Sequence, residues 1–270
     1  MPPDSDDETR LMDSCLVQKL AHYVDLSDED RLLWARLEEN EREFRKDQIV
    51  RRAGDRIEDL YVVKHGWLYS FTILDDGRRQ VLKIHYPGDI VDLSELPLEH
   101  ASHDIKCVTP ACLCPFPKDG LHAIFSESPR MTALLFSFAI MENSALLNRI
   151  RALGRLSAYE RLCYFLLEIG DRLRITVKDA HAGFRLPLTQ ADIADAVGLT
   201  NVYVSKTLAK LEQDGLIQRT GRSHIRIPDE ARLRDVAQFQ GGVSAMDIAW
   251  FPDRLLGEME ADAAGQDRRK

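Results

Sequence analysis

The chain has 270 residues, 44% of them apolar and 30% charged, with a formal net charge of −8; that is material for about two domains and a sizeable core. Its longest apolar run, Met131 to Met141, contains Thr132 and Ser137 and is far short of the roughly 20 residues of a membrane span. The acidic start MPPDSDDETR has neither the basic nor the apolar stretch of a signal peptide, and five cysteines without a paired framework fit reduced thiols. A soluble cytoplasmic protein is expected, not a secreted disulfide scaffold or a membrane protein.

The acidic balance is uneven. Arg151 to Asp235 hold 14 Lys and Arg against 11 Asp and Glu, a net of +3 that leaves −11 for the rest of the chain. Global charge therefore does not exclude a nucleic-acid partner for that module.

Residues 1–43 read as a helical or flexible lead-in. Four glycines then pace the chain, Gly54, Gly66, Gly77 and Gly88, at intervals of 12, 11 and 11 residues. Between them lie the β-rich runs Leu60 to Val63, Trp67 to Ile73 and Gln80 to Ile84, joined by turns such as Asp75-Asp76-Gly77 and Pro87-Gly88-Asp89. Turn signals at this interval mark an antiparallel sandwich or barrel, so residues 44–120 are expected to form a jelly-roll-like β domain.

Residues 121–155 change to a helical pattern, with Pro129 placed to open a helix. Leu134, Phe138, Met141 and Ala145 follow a 4-3-4 spacing, a seam able to pair with its copy or to pack on the chain's own β domain. The length of the helix favours dimerisation. Ser157-Ala-Tyr-Glu160 is a capping box that opens a further helix to about Leu173, and Gly183 to Leu188 is a short extended piece.

The stretch from Leu188 to Ile217 is the most specific. Thr189 can cap a short helix holding Ile193, Ala194 and Val197; small Ala194 allows close approach of a second helix, and Gly198 supplies the turn. Thr200 can cap that second helix, which buries Val204, Leu208 and Leu211 while Asn201, Ser205 and Lys206 project outward. Two β runs around Gly221-Arg222 make a basic-tipped wing suited to phosphates. Thus residues 156–236 are expected to be a winged helix-turn-helix whose second helix enters a major groove, and 237–270 a polar, flexible extension. The fold class is α+β.

Arg52-Ala-Gly-Asp55, Leu60-Tyr-Val-Val63, Asp76-Gly77, Pro87-Gly-Asp-Ile-Val91 and the winged helix together resemble the Crp/Fnr family of bacterial transcription regulators, over nearly the whole chain up to about residue 236. The resemblance implies a cyclic-nucleotide-binding-like β-roll, a long dimerisation helix and a DNA-binding domain, with no catalytic activity. Aligned on Gly198-Leu-Thr200, the family's base-reading positions fall on Asn201, Val202, Ser205 and Lys206. Thr189, Thr200, Lys210, Arg222, Ser223 and His224 are the expected phosphate contacts. Expected partners are a double-stranded operator, a second copy of the chain and RNA polymerase.

The chain also departs from the family. Members that bind cyclic nucleotide carry a Glu for the ribose and an Arg-Ser pair for the phosphate; here stand Asp92-Leu-Ser-Glu95 and Ser102-His103, with no arginine between Arg79 and Arg130. A buried phosphate would lack its guanidinium, so cyclic AMP in the familiar mode is not expected. Cys15 is the only cysteine before residue 107, which leaves no N-terminal set for an iron–sulfur cluster. Cys112 and Cys114 read as core thiols, and neither zinc nor haem is called for by His85, His100, His103 or Pro2. No cofactor or metal is expected. Two rivals are a regulatory nucleotide-binding module of a signalling protein, which leaves the winged helix unexplained, and an enzyme with a cysteine nucleophile, for which no base is evident.

Overall fold

The spaced glycines all sit at positive φ, 88°, 94°, 83° and 82° in chain order. At Gly66 the need is also steric, because a Cβ there would lie 2.6 Å from the Pro110 carbonyl oxygen. These bends fold a computed structural model, described for residues 14–91, 93–176, 183–221 and 223–239, into two antiparallel four-stranded sheets in its first half. The strands are β1 (Arg42–Phe44), β2 (Ile49–Arg51), β3 (Asp59–His65), β4 (Leu68–Ile73), β5 (Arg79–His85), β6 (Ile90–Val91), β7 (Asp104–Cys107) and β8 (Ala111–Pro117). One sheet runs β1-β8-β3-β6 and the other β2-β7-β4-β5, the alternating partition of a jelly roll. Phe44, Val63, Leu68, Ile105 and Leu113 pack between them. Burial pushes the Cys112 and Cys114 thiols up to about 12, so both behave as core side chains and not as thiolates.

Helices α1 (Cys15–Ala21) and α2 (Asp28–Ala35) cover the first sheet. Ser14 caps α1, and Ser27 forms a capping box with Asp30 on α2. Leu16, Leu20 and Trp34 meet Leu60, Val62 and Phe116 of the sheet in one apolar cluster, joined by Met131 and Leu134.

The helical stretch expected from Leu121 is two helices, α3 (His122–Glu127) and α4 (Pro129–Arg155). Ser128 between them is extended, with ψ 100°, because proline disfavours helical backbone in the residue before it. Pro129 opens α4 and the Ser128 hydroxyl caps it.

The second half holds α5 (Ala158–Thr176), β9 (Phe184–Arg185), α6 (Gln190–Val197), α7 (Asn201–Gln213), β10 (Gln218–Thr220), β11 (His224–Arg226) and α8 (Glu230–Ala237). The Ser157–Glu160 capping box forms. The extended piece after Gly183 adds a third strand to the wing, in the order β10-β11-β9. Leu162, Leu166, Val204, Leu211 and Ile217 fill the core of this half.

Candidate nucleic-acid interface

The helix-turn-helix is built from local chemistry. The Thr189 hydroxyl accepts from the Asp192 amide, while the Asp192 carboxylate accepts from the Thr189 amide at 3.0 Å and its hydroxyl at 2.6 Å. Gly198 ends α6 in the left-handed region at φ 65°, where a side chain would be strained. Arg161 of α5 donates to the Val197 carbonyl at 2.9 Å, satisfying one open carbonyl at this helix end. Thr200 then caps α7 by accepting from the Tyr203 amide at 3.3 Å.

Val204, Leu208 and Leu211 face the core, and the opposite side of α7 is open: Asn201, Val202, Ser205 and Lys206 are all exposed. The four expected base-reading positions therefore share one accessible surface at the N-terminal end of the helix. Tyr203, not singled out from the sequence, is also 54% exposed beside them. Its sequence position, next to Val204 of the buried face, gives no signal of that exposure.

The expected phosphate contacts fare unevenly. Thr200, Lys210 and His224 are exposed and Ser223 half-buried, whereas Arg222 lies outside the described residues. The Lys210 ammonium stands 5.4 Å over the Tyr159 ring, and the Tyr159 hydroxyl donates to Asp214 at 2.7 Å. Thr189 is exposed, but its hydroxyl proton is committed to Asp192. At the base of the wing, Arg219 donates to Glu212 through Nε at 3.0 Å and Nη2 at 2.7 Å, which ties β10 to α7.

In the β-roll, the segment around Glu95 is held by contacts within the chain. Glu95, 2% exposed, accepts from Arg51 at 3.0 Å and from the Ser102 amide at 2.7 Å, and His103 Nδ1 lies 3.2 Å from it. Arg51 of β2 thus forms a buried ion pair with Glu95. Sequence reading could not find Arg51, which lies 44 positions from its partner.

Ion pairs cross between the two halves. Arg79 of β5 donates to Asp192 and Asp195 of α6, both at 2.7 Å, and Gln80 donates to the Asp195 carbonyl at 2.7 Å. Glu142 of α4 pairs with Lys83 of β5 at 2.8 Å and with Arg172 of α5 at 2.9 Å. Burial pushes the Glu142 carboxyl up, but Lys83 and Arg172 outweigh it and hold it well below the usual range.

The row on α4 expected to pair with a second copy is turned the other way. Leu134 is fully buried in the chain's own core. Phe138 packs edge-on against Tyr23, ring centres 5.2 Å apart, and Met141 and Ala145, both half-buried, line a cleft between α4 and α5. The exposed row is instead Ile140, Asn143, Leu147 and Ile150, with Leu146 beside it, on the opposite face at 3.6 residues per turn. Both rows share the same spacing, so periodicity could not choose between them. By length and composition α4 could cross a membrane, but Glu142 and Arg149 in its span are ion-paired to α5, as befits a helix of a folded body.

Comparison with known proteins gives the arrangement a context. A model of the cyclic nucleotide-binding domain matches residues 41–128, and one of the Crp-like helix-turn-helix domain matches residues 160–236. The chain is 33% identical over 195 residues to the nitrogen fixation regulation protein FixK of Bradyrhizobium diazoefficiens, covering 72% of this chain and 80% of that one. It is 26% identical over 216 residues to an anaerobic regulatory protein of Haemophilus influenzae, covering 80% and 83%. The solved structure of FixK2 from Bradyrhizobium japonicum superposes with a TM-score of 0.65 at 26% identity, over 73% of this chain and 96% of that one.

Proposed function

The chain belongs to the Crp/Fnr family of transcription regulators and carries that family's helix-turn-helix DNA-binding domain, and from this premise we propose that it works as a homodimer reading a pseudo-palindromic operator, under a signal received in its N-terminal half. The family is one of regulators and not of enzymes. The observation that carries the reading is the accessible face of α7, where Asn201, Val202, Ser205 and Lys206 stand together over a capped, well-packed helix.

The chemistry of that face fits base edges. Lys206 donates to guanine O6 and N7, Asn201 matches adenine, and Val202 offers only an apolar contact such as a thymine methyl. Thr200, Lys210, Ser223 and His224 lie around it as phosphate contacts, with Arg222 assigned from the sequence. Two such helices reach successive major grooves if the chains pair through Ile140, Leu146, Leu147 and Ile150. That sets the half-sites about 10 base pairs apart.

A cyclic nucleotide held in the familiar way is not the expected signal, because no arginine stands between Arg79 and Arg130 to hold its phosphate. Besides DNA and its own copy, RNA polymerase is the partner assigned to a regulator of this kind, and the bacterial cytoplasm its place of action.

The test is selection of bound fragments from a random DNA library by the full chain. Enrichment of two inverted half-sites one helical turn apart is the expected result. Recovery of unrelated sequences, or of a lone half-site bound by a monomer, overturns the reading.

A further inference from the structure

Between the two halves lies a cavity of about 510 Å³, within the roughly 300–1,000 Å³ of small-molecule sites. It is a partly open cleft bounded by the end of α1, the turn before β6, the inward face of α4, α5 and the end of α8. Tyr23, Tyr86, Phe138, Met141, Ala145 and Tyr164 line it together with charged side chains, among them Lys19, Asp89, Glu142 and Arg172. Glu95, Ser102 and His103 are not among its lining residues, so it is distinct from the segment that holds nucleotide in other members.

We infer that this cavity binds a small, uncharged, largely aromatic molecule bearing hydrogen-bond acceptors, and that this molecule is the regulator's signal. The second clause rests on the regulatory reading above; the first does not.

The absence of net charge on the ligand follows from the ion pairs. Arg172 is matched by Glu142, Lys19 by Asp89, and Arg174 and Arg234 by Asp171 and Glu230. An ionic ligand would have to break one of these pairs. Between these pairs the walls are aromatic, with Tyr23 edge-on to Phe138 and Tyr164 tilted against Phe239 at 5.0 Å.

The need for acceptors follows from the tyrosines. Tyr86 and Tyr164 are 4% and 6% exposed. Among the described residues neither hydroxyl has a hydrogen-bond partner, and neither oxygen is one of the fully buried atoms left unpaired, so both are reached from open space beside them. A hydroxyl open to the cavity is a donor available to a ligand, and a carbonyl or ring nitrogen there would accept from it. Burial pushes Tyr23 and Tyr164 up to about 12 and Tyr86 higher, so all three remain O–H donors.

Position makes the site regulatory. Its walls come from the β-roll, from α4 and from the DNA-binding half, so a ligand that fills it favours the arrangement of the halves that forms it.

Nile red, an uncharged aromatic dye with a carbonyl and a ring nitrogen, is the probe. Titrated into the full chain, it should bind saturably at one molecule per chain with blue-shifted emission. Ala145→Trp, which fills the cavity from α4, should abolish that binding while thermal unfolding and DNA binding persist; Met141→Trp is the second filling variant should the first not fold. Tyr86→Phe and Tyr164→Phe should each weaken the dye by about two- to tenfold. Unchanged binding in the filled variants overturns the site. Equal affinity for the anionic dye anilinonaphthalene sulfonate overturns the charge argument. Binding that arises only after residues 240–270 are removed assigns the cavity to the chain's own C-terminal segment and overturns the proposal. Saturable dye binding without any effect on operator affinity leaves the site standing and removes its role as signal.

Discussion

The Arg79 guanidinium donates to the Asp195 carboxylate at 2.7 Å, across 116 positions of sequence. The same side chain reaches Asp192 through Nη2, and its planar fork suits two carboxylates at once. Asp192 is also the capping partner of Thr189, so one arginine of the β-roll holds both the start and the middle of the first helix of the DNA-binding motif. Arg79 further stacks at 5.2 Å over Tyr69 and 5.9 Å over Phe71.

Arg79→Ala is expected to loosen the joint between the halves more than it lowers global stability. A partly exposed pair of this kind contributes about 1 kcal/mol, so the melting temperature should fall by a few degrees. Cleavage by a protease after Arg155, between α4 and α5, should accelerate more. A double-mutant cycle with Asp195→Ala checks the pair directly. A coupling energy of about 0.5–1.5 kcal/mol is expected, and a value indistinguishable from zero would show that the halves are held by other contacts.

Association should depend on the outward row of α4. Leu147→Glu and Ile150→Glu are expected to give folded monomers by sedimentation equilibrium, with operator binding weakened more than tenfold. Leu134→Ala acts differently: it opens a hole in the chain's own core, costing about 2–5 kcal/mol of stability without a specific effect on dimerisation. A dimer that survives both charged variants would place the interface elsewhere.

Base reading should divide between Lys206 and Val202. Lys206→Ala is expected to cost roughly 1–3 kcal/mol at the selected operator and to relax preference at one base pair. Val202→Glu should introduce a preference for cytosine, whose amino group a carboxylate accepts. Repeating the library selection with each variant checks both. Equal loss on specific and random DNA would make Lys206 a phosphate contact.

Acid should weaken the chain through Glu142. Its carboxyl is held low in the folded protein by Lys83 and Arg172 against the opposing effect of burial, so the unfolded chain takes up a proton at higher pH than the folded one. The stabilisation is therefore present above the ordinary carboxylate value of about 4.3 and is lost as pH falls below it. Urea midpoints between pH 3 and 7 should drop more steeply for the native chain than for Glu142→Gln, which should be less stable at pH 7. Parallel curves would show that another carboxylate governs acid unfolding.

Much of this protein is local chemistry and was legible in its residues. Glycine spacing places Gly54, Gly66, Gly77 and Gly88 because a tight bend needs a positive φ wherever it lies in the fold. The caps at Thr189 and Thr200 and the turn at Gly198 are legible for the same reason: each is settled within three or four residues. The outward direction of Lys206 follows from a helix whose other side is apolar. What periodicity left undetermined, packing decided. Two apolar rows on α4 are equivalent until Tyr23 and the β-roll cover one of them, and the seam read from the sequence was the covered row. Arg51 on Glu95, Arg79 on Asp195 and Arg172 on Glu142 join residues at least 30 positions apart. A charged side chain at the surface and one paired across a domain joint look alike in sequence, because only the burial created by folding makes the partner necessary.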